Sequence, residues 1–307
     1  MAKNKKRNAL LLLGTAAAIS ATTYYYLTKD KSGEQIEEKD VVIKNTRGYD
    51  MTCKIVRPVT IKKVPLVVFC PGFNDDKTSE GRFLMIARNL AAKGVASVMM
   101  DHAGCGESSE DFTSYRLSNN IADIDTAYNH MLVEYNIDMD HLALVGYSMG
   151  GRDAVLFSRL RKEFHALVLL APSLGRAYDG AAEELFGGVN SYKKLEESAR
   201  QNGYILFEDG PGNRIKVSEG FFEDMKEYDS LRALKDFTGH ILYIQGAQDE
   251  VVPAEYSGKA LQYLNKKAKL QFAYLDHVNH SFNVSEENSS QYERMVRLVA
   301  DYLLAEL

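Results

Sequence analysis

Five short apolar runs constrain this chain more than any other feature: "PLVVFCPG" (65–72), "VASVMMDHAG" (95–104), "HLALVGYS" (141–148), "ALVLLAPS" (166–173) and "HILYIQGAQD" (240–249). Each is apolar at consecutive positions and so needs cover on both faces, as strands of a parallel sheet do. Helical stretches separate them: Arg82 to Gly94, Asn119 to Tyr135, from Ser148 through Leu160, and after Asp249 through about Leu264. "KLQFAYLDH" (269–277) reads as a last strand before a C-terminal helix. Upstream, "VVIKNTRGYDMTCKIVRP" reads as two strands around a turn at Arg47-Gly48-Tyr49-Asp50. The alternation predicts an α/β fold, a mostly parallel sheet with helices on both faces. Ligands bind such sheets beyond the carboxyl ends of the strands, so chemistry is expected just after each apolar run.

Ser148 stands at such an end, in "VGYSMGG", where a sharp strand-to-helix turn would project its hydroxyl above the sheet. Gly146 and Gly150 leave the turn room to pack, and the following helix aims its positive end at developing negative charge. A serine between glycines does not by itself make a nucleophile; a base must take its proton. Asp249, in "GAQDEVVP", and His280, in "LDHVNHSF", both follow apolar runs and come after the serine in the order acid, then histidine. Glu250 is the rival acid and His277 the rival base. His102, in "DHAGCGES", also follows a strand but precedes the serine. Position favours Asp249 and His280 without closing the choice.

"GYSMGG", "GAQDEVVP" and "NHSF" together resemble the serine hydrolases of the α/β-hydrolase superfamily. The likeness is to bacterial cinnamoyl (feruloyl) esterases and to related serine-aminopeptidase-like and monoglyceride-lipase-like enzymes, from about Val41 to the C-terminus. "CPGFNDDK" is similar to the family's oxyanion loop and "DHAGCGESS" to its Asp-x-x-Gly-x-Gly-x-Ser turn. The resemblance implies the α/β-hydrolase fold, with Ser148 as nucleophile, Asp249 as acid and His280 as base. It also implies an oxyanion hole made by the backbone N–H groups of Phe73 and Met149. The family usually has His-Gly where this chain has Pro71-Gly72, which removes a side chain that often supports the loop.

More than 60 residues between Pro172 and about Gly239 exceed a simple connection. Helices are expected at Glu183–Phe186, Tyr192–Gln201 and Glu219–Leu234, and a hairpin or loop at "FEDGPGNRIKVSEG". The resemblance implies a helical lid at about 174–238 over an acyl pocket. Tyr178, Phe186, Phe221 and Phe222 are the expected pocket aromatics, the alternative being that they form the insertion's own core.

The N-terminus differs in kind. Lys3, Lys5, Lys6 and Arg7 precede a run without charge from Asn8 to Thr28, about 20 residues, enough to span a bilayer as a helix. Residues 1–28 are therefore expected to be an uncleaved membrane anchor, with Tyr24, Tyr25 and Tyr26 as an interfacial belt and the remainder outside the cytoplasm. A cleaved signal and a secreted product is the alternative. Residues 29–39 read as a polar linker and 40–307 as the hydrolase domain.

A net charge of −5 argues against a nucleic-acid surface. Cys53, Cys70 and Cys105 are too few and irregular for a zinc site or disulfide framework and read as small buried residues, a bridge between Cys70 and Cys105, which both follow strands, being the alternative. No phosphate-loop or clustered His/Cys pattern calls for a cofactor or metal. The expected partner is a small-molecule ester. Competing functions are an aminopeptidase or amidase, which would need acids such as Asp179, Glu183 or Glu184 facing a substrate amine, and a non-catalytic binding protein.

Overall fold

Two-residue periodicity sorts each central strand's side chains into two cores. In β4 (Val64–Cys70), Leu66, Val68 and Cys70 enter one core, while Val67 and Phe69 enter the other. In β6 (Ile137–Tyr147), Leu142 and Leu144 oppose Ala143 and Val145 in the same way. The computed structural model describes residues 25–29, 35–177, 185–210, 212–284 and 290–307.

Nine strands form one sheet in the order β1-β2-β3-β5-β4-β6-β7-β10-β11. The others are β1 (Tyr25–Lys29), β2 (Gln35–Lys44), β3 (Asp50–Pro58), β5 (Ala96–Met100), β7 (Ala166–Leu170), β10 (His240–Gly246) and β11 (Lys269–Leu275). β1, β2 and β3 pair antiparallel, β3 meets β5 antiparallel, and everything from β5 to β11 is parallel. One face packs under α1 (Arg82–Ala91) and α8 (Ser290–Glu306) through Phe83, Ile86, Leu90, Met295, Val299 and Leu303. The other packs under α2 (Leu117–Glu134) and α3 (Met149–Leu160) through Ile124, Tyr128, Met131 and Phe157. Each such side chain contributes roughly 1.5–3 kcal/mol by leaving water. This is the α/β-hydrolase fold.

The chain leaves β4 for β5 on one side and returns to β6 on the other, so the crossover point lies between β4 and β6. There Cys70 pairs with Gly146, which sets the loop after β4 level with Ser148.

Between β7 and β10 lie α4 (Val189–Asn202), a hairpin of β8 (Tyr204–Glu208) and β9 (Arg214–Ser218), α5 (Glu219–Glu227) and α6 (Ser230–Asp236). The helix expected over Glu219–Leu234 breaks at Tyr228–Asp229, where the Asp229 carboxylate accepts from the Arg232 N–H and starts a new helix. α7 (Glu255–Leu261) follows β10 and ends short of the expected Leu264.

Two expectations need correction. The polar stretch read as a linker over 29–39 is largely strand: Lys29 ends β1 and Gln35 begins β2. Its charges pair across the register, Arg57 with Glu37 at 2.6 Å and, just beyond it, Lys54 with Asp40 at 2.8 Å, while Ile36 enters the core. The anchor read over 1–28 likewise ends too late, because Tyr25–Thr28 pair with Ile36–Lys39; residues 1–24 lie outside the described residues. No helix among the described residues is long and apolar enough to cross a membrane. Cys70 and Cys105 are free and buried, as is Cys53, and burial pushes all three thiols well up. β11 also departs from the two-sided pattern, since as the edge strand it exposes Leu270, Phe272 and Tyr274.

The insertion is tied down at Asp224, which is 1% exposed. Its carboxylate accepts from both ends of the Arg116 guanidinium and from the Ser118 N–H (2.8 Å) and hydroxyl (2.7 Å) at the start of α2. Asp224→Ala is expected to lower the unfolding free energy by about 2–3 kcal/mol. Glu223→Ala, whose exposed carboxylate stands 3.9 Å from the same arginine, should change it by less than about 0.5 kcal/mol in the same urea melts.

Candidate active site

Ser148 sits at φ 52°, ψ −120°, a conformation rarely adopted by a side-chain-bearing residue. Its N–H donates to Leu170 O (2.9 Å), and its carbonyl accepts from the Gly151 N–H (3.0 Å) and the Ser173 N–H (2.9 Å). The turn closes so tightly that a Cβ on Gly146 would lie 2.3 Å from Gly150 O, and one on Gly150 would lie 2.0 Å from Cys70 O. Both glycines are thus fixed by packing against backbone, which cannot give way.

The structure brings Ser148, Asp249 and His280 together. His280 Nε2 lies 3.0 Å from Ser148 Oγ, and Nδ1 lies 2.9 Å from Asp249 Oδ2. With Nδ1–H donating to the carboxylate, Nε2 is left to accept from the hydroxyl. Asp249 is held by four donors: Val251 N–H (3.0 Å), Val252 N–H (2.7 Å), Gln245 Nε2 (2.9 Å) and His280. Gln245 also accepts from the Ser257 hydroxyl at 3.0 Å, linking the acid to α7. Sequence reading missed Gln245; its signal is a polar residue inside the otherwise apolar run "HILYIQG".

The rival residues point elsewhere. Glu250 and His277 are exposed. His277 is in the left-handed region at φ 58°, and its carbonyl accepts from Asn283 Nδ2, a local loop role. His102 is buried beside Asp123, at 3.5 Å, and edge-on to the Tyr115 ring.

Phe73 and Met149 both border Ser148, and among the described residues neither backbone N–H meets a backbone acceptor. Met149 opens α3, where the first N–H groups have no helical partner. The support expected from a histidine at position 71 comes from other groups. The Tyr115 hydroxyl donates to Gly72 O (3.4 Å), Asn74 Nδ2 donates to Asp209 of the β8–β9 hairpin, and the Phe73 ring packs edge-on to Phe112, Tyr115, Phe186, Phe207 and Phe221.

A cavity of about 300 Å³ opens over Ser148 and His280, its apolar wall made by Phe73, Tyr147, Leu185, Val251 and Val252. Phe186, Phe221 and Phe222 do not line it, a correction to their expected place in the pocket. They are at most 3% exposed and pack on one another at 5.5–6.0 Å between ring centroids, because the insertion needs its own core. Tyr178, Asp179, Glu183 and Glu184 lie outside the described residues. Three carboxylates, Asp75, Glu80 and Asp209, also border the cavity, with no lysine or arginine among its lining residues. Among the described residues no three His, Cys, Asp or Glu side chains gather to hold a metal.

Burial pushes the Asp75 carboxyl up to about 6, against the pull of the Ser79 hydroxyl and of Arg82. An acid whose folded value is raised holds its proton more tightly when folded, so its contribution is fullest at low pH and is lost as pH rises to about 6. Asp75→Asn, which stays neutral, is therefore expected to gain stability relative to the parent between about pH 4 and pH 6. The gap should then be flat above about pH 7; a pH-independent difference in urea melts would contradict this assignment.

Comparison with known proteins bears on the fold that carries this site. Residues 62–199 match a family model described as serine aminopeptidase, S33. A search of curated proteins finds no match. Among solved structures, the chain is similar to Est1E from Butyrivibrio proteoclasticus with ferulic acid bound, at TM-score 0.67 and 18% identity over 87% of this chain and 98% of that one. A putative hydrolase from Agrobacterium vitis superposes at TM-score 0.69 and 18% identity over 88% and 99%. Mouse α/β hydrolase domain-containing protein 10 does so at 0.63 and 14% over 86% and 98%. At such identity the solved structures speak to the fold.

Proposed function

We propose that this chain, which has the α/β-hydrolase fold and matches a serine aminopeptidase family model over residues 62–199, is a serine hydrolase of that superfamily cleaving carboxylic esters with small or medium acyl groups. The observation that carries the reading is the pair of hydrogen bonds joining Ser148 to His280 and His280 to Asp249. In this reading, His280 Nε2 takes the Ser148 proton as the oxygen attacks the substrate carbonyl. Asp249 keeps the imidazole in the accepting tautomer and stabilises its positive charge. The oxyanion turns toward the Phe73 and Met149 N–H groups, each worth about 10²–10³ in rate. The imidazolium returns its proton to the leaving alkoxide, and water then hydrolyses the acyl-enzyme by the same route. The ferulic acid bound to the similar Est1E makes hydroxycinnamoyl esters the first aryl substrates to try.

A second reading has its own observation. Asp75, Glu80 and Asp209 on the cavity wall would suit a substrate amine, and hence aminoacyl amides on the same triad. Comparing an aminoacyl p-nitroanilide with p-nitrophenyl acetate and butyrate separates the two.

For the ester reading, Ser148→Ala and His280→Ala are each expected to lower p-nitrophenyl butyrate turnover by at least about 10³-fold. His277→Ala should stay within about threefold of the parent. Loss of activity in His277→Ala with retention in His280→Ala would reverse the assignment of the base.

We further propose that residues 1–24 act as a membrane anchor or signal, on the strength of their basic start and uncharged run. Deleting them is expected to move the protein from the membrane to the soluble fraction; an unchanged distribution would contradict this.

A further inference from the structure

The loop carrying His280 is not held by its own backbone preferences. His277, Phe282 and Asn283 all adopt left-handed φ values of 57–58° without being glycine. Within the loop, Asn279 and Asn283 exchange side-chain and backbone hydrogen bonds at 2.8 and 2.9 Å. Outside it, two groups grip the main chain at the histidine itself. The Tyr147 hydroxyl donates to His280 O (3.3 Å), and Arg82 Nη2 donates to Ser281 O (3.2 Å), 199 residues away in sequence.

Those two groups form one assembly. The Arg82 guanidinium lies 4.1 Å above the Tyr147 ring, and that ring lies 5.2 Å from the His280 imidazole. Tyr147 precedes the serine directly, so the stack links the nucleophile's strand to the base's loop. Arg82 also donates through Nη1 to Ser79 Oγ and pairs with Glu80 at 2.9 Å.

The placement of Arg82 is energetically demanding. Its side chain is fully buried, while its carboxylate partner Glu80 is 57% exposed, so solvent weakens the compensation for a desolvated charge. Ser79, Glu80 and Gly81 before it take φ values of 51°, 54° and 81°, three left-handed residues in succession. Helix stability alone would be served as well by an arginine left in water. A buried cation approached through a strained turn and ending on the loop of the proposed base indicates a task at that loop.

We propose that Arg82 is a positioning residue: through Tyr147 and Ser281 it sets His280 at hydrogen-bond distance from Ser148. The inference rests on the proposed nucleophile and base and adds to them a residue that touches neither the substrate nor the reacting atoms.

The test is steady-state hydrolysis of p-nitrophenyl butyrate by the full chain and by Arg82→Met, Arg82→Lys and Ser148→Ala. The rates of the parent and the Arg82 variants are divided by the sites counted in an end-point titration with a fluorophosphonate, and that of Ser148→Ala by protein concentration. Displacing the base affects the reaction rather than binding, so Arg82→Met is expected to lower kcat about 10–100-fold with KM within about threefold. Arg82→Lys, which restores the cation but not the fork, should fall between. A merely structural role would lower the melting temperature and the titrated fraction while leaving kcat per site at the parent value, and that result would overturn the proposal. If Arg82→Met does not fold, Ser79→Ala removes one hydroxyl holding the guanidinium and keeps the charge. It should lower kcat per titrated site about 3–10-fold, and parent-like kcat per site there would equally overturn the proposal. Turnover surviving in Ser148→Ala would instead defeat the hydrolase reading itself. A dead Ser148→Ala beside a parent-like Arg82→Met would defeat only the role of Arg82.

Discussion

The rest of the structure depends on the turn at Ser148. A residue at φ 52°, ψ −120° stays there only when its surroundings leave no other choice. The Ser148 amide is tied to β7, its carbonyl accepts from Ser173, and the glycines at 146 and 150 let β4, β6 and α3 close to backbone contact. Packing from three elements thus holds one hydroxyl at the crossover point of the sheet, where neighbouring loops converge.

The same logic governs the proposed acid and base. Asp249 spends its lone pairs on two backbone N–H groups, Gln245 and His280, and so aims one oxygen at the imidazole. His280 rides on a loop with three strained residues, and its anchors come from the strand bearing the serine and from the start of α1. The insertion joins this assembly. Its aromatic core presses on Phe73 and its hairpin reaches Asn74, so the loop proposed to supply an oxyanion donor is braced from both sides.

Much of this was legible in the chain. The central strands announce themselves because a strand covered on both faces must be apolar at consecutive positions, and a helix between two of them leaves few topologies open. The edges were not legible. The first half of β2 reads as linker because its charges pair with those of β3, and a charged strand resembles a charged coil until its partner is known. The sequence places β11 as a strand but not at the rim, since apolar residues there are the same letters whether covered or exposed. Phe186, Phe221 and Phe222 illustrate the same limit within the insertion, because an aromatic suits a small core as well as a pocket wall.

The sequence by itself determined the fold class, the order of serine, acid and histidine, and their placement at strand ends, because these follow from local periodicity and from glycines that no other residue can replace. Only the tertiary structure decided which histidine faces the serine, that Gln245 and Tyr115 stand behind the site, and that Arg82 reaches the loop of His280. Apart from Gln245, four residues before Asp249, those relations join residues far apart in the chain through single hydrogen bonds, and neither composition nor spacing records a contact made by folding.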